Sequence, residues 1–229
     1  MEKRIIVTIT GPSTDEALKD TERVGILAPT YPDFTFSIEY RLDMIQRHDS
    51  RRLFRNSHFE TIGTYRHPKE GGKNPNTTET ERFRILEEAA NHGAKRIDIE
   101  LAYFRPMHLN GAGLILSHHD FENTPRNIAD ICRKMRSLGA DVSKFALTPK
   151  TEDDVDYVLG VLDEVSKEGP VIGISMSELG QKSRVEALFH GAHATFGCLD
   201  PGKAVAGQLP IDKLIKRIRD YESTHPKST

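Results

Sequence analysis

The feature that most constrains the fold is a regular alternation along the chain between short apolar runs and longer amphipathic patterns. Eight runs rich in β-branched and apolar residues predict strands. Several are apolar throughout, as expected of parallel strands that helices cover on one face and a core covers on the other. The eight predicted strands are Ile5–Ile9, Phe36–Tyr40, Thr61–Thr64, Arg96–Leu101, Gly113–Ser117, Lys144–Leu147, Val171–Ser175 and Ala194–Phe196.

Four helices are predicted from apolar residues at helical spacing. Before the first, Thr78 is followed three residues later by Glu81, which is the pattern of a capping box. Before the second, Thr124 is the predicted N-cap, and Pro125 occupies the first turn. The predicted helices are Glu79–His92, Pro125–Leu138, Glu152–Lys167 and Ile211–Tyr221.

Strand–helix alternation across a chain of 229 residues favours parallel strands joined by right-handed crossovers. Eight strands predict an α/β fold of the (β/α)8 TIM barrel type, with residues 1–229 as a single domain and a tail at 222–229 that frays. Only about ten residues separate Leu101 from Gly113, close to the minimum for a crossover. That connection is predicted to be either one short helix or an irregular loop.

Charge and composition exclude several classes of protein. Lys and Arg number 32 and Asp and Glu number 34, so the chain lacks the basic excess that binding to nucleic acid or a membrane surface requires. No glycine fingerprint of a nucleotide site is present. The only cysteines, Cys132 and Cys198, make a disulfide framework improbable, and a reducing cytoplasm is the expected location.

Lys144 is the residue that most strongly suggests chemistry. It adjoins the apolar residues 145–147 in a strand predicted to be covered on both faces, where an ammonium loses favourable hydration. Burial favours the neutral amine, a nucleophile towards carbonyl groups, so the position suggests Schiff-base chemistry. The competing interpretation is a lysine at a strand edge whose amine reaches water.

His118 and His119 close the preceding strand and could move protons at neutral pH. One of them could instead be a hydrogen-bonded core histidine, with Asp120 capping a turn. Zinc ligation is a further alternative, because His and carboxylate groups after a barrel strand suit that metal. The other strand ends offer arginines, which repel a cation, so no metal is predicted.

Arginines follow three predicted strands, at Arg41, Arg66 and Arg184. A solvated surface explains any one of them, but three at one barrel mouth would make a receptor for an anionic substrate, with forks suited to a carboxylate. Glu39 and Glu70 lie near the same strand ends. They could accept hydrogen bonds from substrate hydroxyls, orient an imidazole, or pair with the arginines.

The order and spacing of short motifs along nearly the whole chain resemble type I 3-dehydroquinate dehydratase, a (β/α)8-barrel family of the shikimate pathway of aromatic amino-acid biosynthesis. Each motif alone is weak, whereas their order together is highly specific. The matching segments are IEYRLD (38–43), YRHPKEGG (65–72), RIDIEL (96–101), LSHHDF with TP (116–125), SKFAL (143–147), SMSELGQKSR (175–184), ATFG (194–197) and AGQ (206–208).

The resemblance implies a role for each matching position. Lys144 corresponds to the Schiff-base lysine, His119 to the general acid/base, and Glu70 to the glutamate that partners this histidine. Arg184 corresponds to the arginine that binds the substrate carboxylate. The remaining substrate-pocket positions are Glu39, Arg41, Arg66, Met176, Phe196 and Gln208.

The implied activity is that of a hydro-lyase that dehydrates 3-dehydroquinate to 3-dehydroshikimate, without a cofactor and as a homodimer. One departure is Ala204, where the family often has a serine in a closing loop, and the segment 198–207 also looks rearranged. Two alternatives stay open. One is a class I aldolase, which also uses a barrel lysine, and the other is a binding barrel that has lost turnover.

Overall fold

The parallel sheet is built from strands that match the eight predicted runs, plus one short strand near the end of the chain. The structure, a computed structural model, describes residues 2–205 and 207–225. Ala206 of the AGQ segment and residues 226–229 of the tail that was predicted to fray lie outside the described residues. The strands are β1 (Lys3–Gly11), β2 (Phe34–Ile45), β3 (Glu60–Thr64), β4 (Arg96–Glu100), β5 (Gly113–Asp120), β6 (Val142–Leu147), β7 (Val171–Ser175), β8 (Thr195–Cys198) and β9 (Leu209–Pro210).

Sequence neighbours among these strands are neighbours in space. Parallel ladders run in the order β7-β6-β5-β4-β3-β2-β1-β8-β9, so β8 returns beside β1. Strands β7 and β8 also contact each other. Just before β8, the amide of His193 donates a 2.7 Å hydrogen bond to the carbonyl of Val171. The α/β barrel fold predicted for a single domain is therefore confirmed.

The helices lie between the strands in the order of the chain. They are α1 (Thr14–Leu27), α2 (Ser50–Phe54), α3 (Glu79–Asn91), α4 (Ile128–Ser137), α5 (Glu152–Val165), α6 (Gln181–Glu186) and α7 (Ile211–Thr224). Helices α1, α2 and α6 were not predicted. The crossover from β4 to β5 consists of one 3₁₀ turn, Leu101–Tyr103, followed by irregular chain, so the irregular alternative is the one found. In the two described ranges, no helix combines the length and apolarity needed to cross a bilayer.

The two predicted helix starts had different outcomes. Thr78 does cap α3, because its hydroxyl accepts a hydrogen bond from the amide of Glu81. The N-cap predicted at Thr124 is wrong, since α4 begins at Ile128 after Asn127. The hydroxyl of Thr124 instead donates to the carbonyl of Thr148 at the end of the next strand.

Apolar side chains fill two layers, one outside the sheet and one inside the barrel. The outer layer packs the helices against the sheet, with fully buried residues such as Leu86 and Leu214. The inner layer is smaller. Its members are Ile6, Ile62, Ile115, Val142, Ala146, Ile172, Ile174, Met176, Ala194 and Phe196. Four of these residues, Ala146, Ile174, Met176 and Phe196, also line the cavity beside the charged side chains.

Gly173 on β7 lies where the sheet and α5 leave no space for a side chain. A methyl group there would lie 2.4 Å from Cζ of the fully buried Phe145 on β6 and 2.9 Å from Cδ2 of Leu162 on α5. We expect Gly173→Ala to lower the free energy of unfolding by about 1–3 kcal/mol through overpacking. The matched control is Gly160→Ala in α5, where nothing lies within 4 Å and alanine should stabilise the helix by about 0.5–1 kcal/mol. Urea unfolding of both variants is the measurement, and equal effects would contradict the packing argument.

Candidate active site

The site residues come from the strands and from the segments that follow them. Successive strand residues point to opposite faces, so every second residue of a strand enters the barrel. Glu70, Arg184 and Gln208 lie beyond the strand ends. These residues converge on a cavity of about 250 Å³ at the carboxyl ends of the strands. All ten predicted site residues line it: Glu39, Arg41, Arg66, Glu70, His119, Lys144, Met176, Arg184, Phe196 and Gln208.

Lys144 points into the barrel and is only 5% exposed. Strand β6 begins two residues earlier than predicted, which places Lys144 in mid-strand rather than at an edge. Its Nζ lies 4.5 Å from the centroid of the Phe196 ring. It donates a 2.8 Å hydrogen bond to Oδ2 of Asp98 and lies 3.8 Å from Oε1 of Glu39. The interpretation of a lysine reaching out to water is therefore wrong.

Asp98 joins Lys144 to Arg66. Nη1 of Arg66 donates to Oδ1 of Asp98 at 2.9 Å, to Oε1 of Glu100 at 2.8 Å and to the hydroxyl of Ser117 at 2.7 Å. Burial alone would raise the pKa of Asp98, but Arg66 and Lys144 outweigh it and hold this pKa well below its ordinary value. Burial likewise opposes the charge of Arg66, yet Asp98 and Glu100 raise its pKa. The cavity floor is thus a chain of alternating charges.

Glu39 is held by hydroxyl groups on both sides. Thr8 and Thr64 each donate a 2.9 Å hydrogen bond to its carboxylate. Nε2 of the Gln208 side chain donates to the hydroxyl of Thr8 at 2.8 Å. This hydrogen bond connects the segment after β8 to the carboxylate of Glu39. Glu39 therefore has a fixed orientation beside Lys144.

Arg41 pairs with a carboxylate that the sequence analysis did not single out. Its Nε and Nη2 donate to the two oxygens of Asp43, each at 2.9 Å. Asp43 also accepts from the amides of Arg66 at 3.3 Å and Lys73 at 3.1 Å. Arg41 and Arg66 are thus each held by a buried carboxylate.

His119, not His118, enters the cavity. It follows Ser117 by two residues on β5 and shares the inward face with it. Its Nδ1 lies 2.9 Å from Oε2 of Glu70, and its own backbone amide donates to the same oxygen at 2.9 Å. Because that oxygen is an acceptor, we assign the proton to Nδ1, which leaves Nε2 unprotonated in the neutral ring.

A tight turn after β3 presents Glu70. The amides of Glu70 and Gly72 both donate to the carbonyl of His67, at 2.9 and 3.0 Å. A side chain on Gly72 would clash, because a Cβ there would lie 2.0 Å from the carbonyl oxygen of Arg66. The two glycines of the PKEGG segment therefore allow the close approach that brings the carboxyl to His119.

Burial controls the protonation of this pair. Desolvation lowers the pKa of His119 well below its ordinary value, and the positive charges of Arg66 and Lys144 add to the effect. Desolvation also raises the pKa of Glu70 to about 7, with the charge of Glu100 contributing. The imidazole is thus poised as a neutral base rather than as an imidazolium.

Arg184 lies on α6 and is 1% exposed. The hydroxyl of Ser183 accepts from the amide of Ser175 at 2.8 Å, which ties this short helix to the end of β7. Burial lowers the pKa of the Arg184 guanidinium to about 10. A bound carboxylate would offset that effect, because an opposite charge stabilises the charged form.

Sequence reasoning missed several buried partners of the predicted residues. Asp98 lies on β4, two residues before Glu100 at the strand end, a period-two signal that could have revealed Asp98 as an inward carboxylate. No pattern in the sequence pointed to the pairing of Arg82 with Glu100 at 2.8 Å across α3 and β4. Within residues 2–205 and 207–225, no cluster of three or more His, Cys, Asp or Glu side chains could hold a metal ion.

Comparisons with known proteins agree on one family. A family model described as type I 3-dehydroquinase matches residues 5–222. The 3-dehydroquinate dehydratase of Methanocaldococcus jannaschii is 29% identical over 230 aligned positions, covering 95% of this chain and all of that protein. The corresponding protein of Desulfotalea psychrophila is 31% identical over 224 positions, covering 93% of this chain and 95% of the relative.

A solved structure gives the same answer. The crystal structure of 3-dehydroquinate dehydratase from Geobacillus kaustophilus superposes with a TM-score of 0.86 at 26% identity, covering 99% of this chain and 93% of that one. The likeness therefore extends over the whole barrel, including every element that contributes to the cavity.

The pKa of His119 can be measured directly. Because it is lowered below 6.5, the ring should stay neutral as the pH falls from 7.5 through 6.5. We expect its ¹H–¹⁵N ring signals, assigned by their loss in His119→Ala, to stay at the chemical shifts of a neutral imidazole over this range. A midpoint at or above pH 6.5 would show that burial does not govern the ring.

Proposed function

The chain belongs to the type I 3-dehydroquinase family and is a 3-dehydroquinate dehydratase of the shikimate pathway, and we propose that it works through a Schiff base on Lys144 with His119 as general acid/base. The observation that carries this proposal is the convergence of both side chains, from the adjacent strands β5 and β6, on one cavity. A nucleophile and a base that share one substrate-sized space suit a reaction that needs both.

Arg184 binds the substrate carboxylate in this proposal. Its burial supports that role, because a desolvated guanidinium gains most from an incoming anion. Arg41 and Arg66, already paired with Asp43 and Asp98, contribute positive field and shape. Glu39, Met176, Phe196 and Gln208 complete the pocket and orient the ring and hydroxyls of the substrate.

Lys144 adds to the C3 ketone of 3-dehydroquinate. The deprotonated amine adds to the carbonyl carbon, and the proton that it gave up returns with the carbinolamine hydroxyl, which leaves as water. The protonated iminium therefore forms with no net proton consumed or released. The iminium withdraws electrons and acidifies the protons at C2. Asp98, hydrogen-bonded to Nζ, fixes the direction from which the amine approaches.

His119 completes the elimination. Nε2 of the neutral ring accepts a C2 proton while Glu70 orients the ring through Nδ1. The imidazolium then protonates the departing C1 hydroxyl, and the ring returns to its neutral state. Hydrolysis of the iminium releases 3-dehydroshikimate and regenerates the lysine.

We also propose that the protein is a cytoplasmic homodimer. In this proposal catalysis uses side chains alone, without a metal or an organic cofactor. The family resemblance supports the dimer. Cys132 and Cys198 are buried and free, which supports a reducing compartment. Sedimentation velocity of the purified chain tests the dimer, and a concentration-independent monomer would contradict it.

Borohydride trapping tests the nucleophile. With 3-dehydroquinate present, reduction should leave a covalent adduct on Lys144, found by mass spectrometry of the digested protein. Lys144→Ala should form no adduct and show no rise in the absorbance of a conjugated enone. Appreciable turnover by Lys144→Ala would mean that another group is the nucleophile.

The two histidines are told apart by paired variants. His119→Ala should still form the adduct but lower kcat by about 10²–10⁴-fold, because proton transfer loses its base. His118→Ala is the matched control, and we expect its kcat to stay within a few-fold of the parent. The reverse outcome would reassign the base to residue 118.

A further inference from the structure

A row of four charged residues holds the segment after β8 against α1 on the outside of the barrel. We call these residues the clamp: Asp20 and Arg23 on α1, and Asp200 and Lys203 on the segment that leads from β8 to β9. The two nitrogens Nη1 and Nη2 of Arg23 each donate a 2.8 Å hydrogen bond to Asp200. Nη1 also lies 3.0 Å from Oδ1 of Asp20, whose other oxygen accepts from Nζ of Lys203.

The same segment forms part of the cavity wall on its inner side. Ala204 and Val205, directly after the clamp residue Lys203, line the cavity, as does Gln208. The amide of Val205 donates to Oε1 of Gln208 at 3.4 Å, and Gln208 in turn reaches Thr8. Within a few residues, therefore, the chain passes from the outer clamp to the inner wall.

Among the described residues 199–205, Leu199 packs against the core, and Asp200 and Lys203 make the side-chain hydrogen bonds to α1. These two residues flank or end a single 3₁₀ turn, Pro201–Lys203. Arg23 keeps the pKa of Asp200 below its ordinary value through their hydrogen bonds, so the pair stays charged at neutral pH. A bidentate arginine–carboxylate pair adds directional geometry that a lone lysine would not.

We propose that Arg23 and Asp20 are positioning residues, which set substrate affinity by fixing the cavity wall formed by Ala204, Val205 and Gln208. Neither residue is part of the cavity lining, so each acts only through the segment it holds. The inference rests on the proposed function in one respect, namely that this cavity takes the substrate. Since Lys144 and His119 stand on strands outside the clamped segment, the clamp governs KM rather than kcat.

Charge exchange across the clamp is the test. Arg23→Asp places a third carboxylate beside Asp20 and Asp200. Repulsion then replaces attraction, and the segment is no longer held against α1. We expect KM to rise about two- to fivefold with kcat within about twofold, because an exposed ion pair contributes up to about 1 kcal/mol. Adding Asp200→Arg restores opposite charges across the gap, and the double variant should recover most of the parent KM.

Arg219→Asp is the matched control. Arg219 pairs with Asp33 at 2.6 Å, and the exposed fractions of the two side chains, 46% and 38%, are close to the 49% and 40% of Arg23 and Asp200. KM should not change in this variant. Thermal melts show that each variant is folded before its kinetics are measured.

Borohydride adduct formation on Lys144 separates this inference from the proposed function. All variants should still give the adduct at saturating substrate, because the clamp does not touch the nucleophile. An unchanged KM in Arg23→Asp, or a raised KM that Asp200→Arg does not restore, would overturn the clamp while leaving the Schiff base intact. Absence of an adduct in the parent chain would overturn the Schiff base instead.

Discussion

The buried pairing of Lys144 with Asp98, and of Asp98 with Arg66, is the constraint on which the site depends. Each of these three charges is almost fully removed from water, and an unpaired charge at that depth would cost several kcal/mol. The 2.8 and 2.9 Å contacts make each charge the compensation for its neighbour. Removing one of the three side chains would leave a buried charge without its partner. The three charged groups are therefore stable in the barrel interior only together.

Rigid strands carry the reacting groups, whereas turns and loops carry the groups that adjust them. Lys144 and His119 stand on neighbouring strands of the barrel, whose backbone ladders fix their separation. Glu70 comes from a 3₁₀ turn, and Gln208 from the segment after β8. This division suits a reaction in which the nucleophile and the base need constant geometry while the pocket must admit a substrate.

The fold was predictable because strand and helix patterns alternate clearly, and the site because its motifs stand at strand ends. Helix α1 was missed for a physical reason, since its buried residues are Thr14, Ala17, Asp20 and Val24, which give little apolar periodicity. Asp98 was missed because a carboxylate inside an apolar strand reveals its partner only when strand register is known. Arginines at the strand ends predicted a positively charged mouth, whereas folding brings the carboxylates of Asp98 and Glu39 to the amine of Lys144.

The carboxylate of Asp98 beside Lys144 affects the energetics of turnover. In the proposed reaction a protonated iminium forms at the lysine nitrogen. The carboxylate of Asp98, 2.8 Å from Nζ, already lies where that cation needs a counter-charge. Such a site behaves like a fixed solvent shell already arranged for the intermediate, and little dipolar rearrangement accompanies the chemistry.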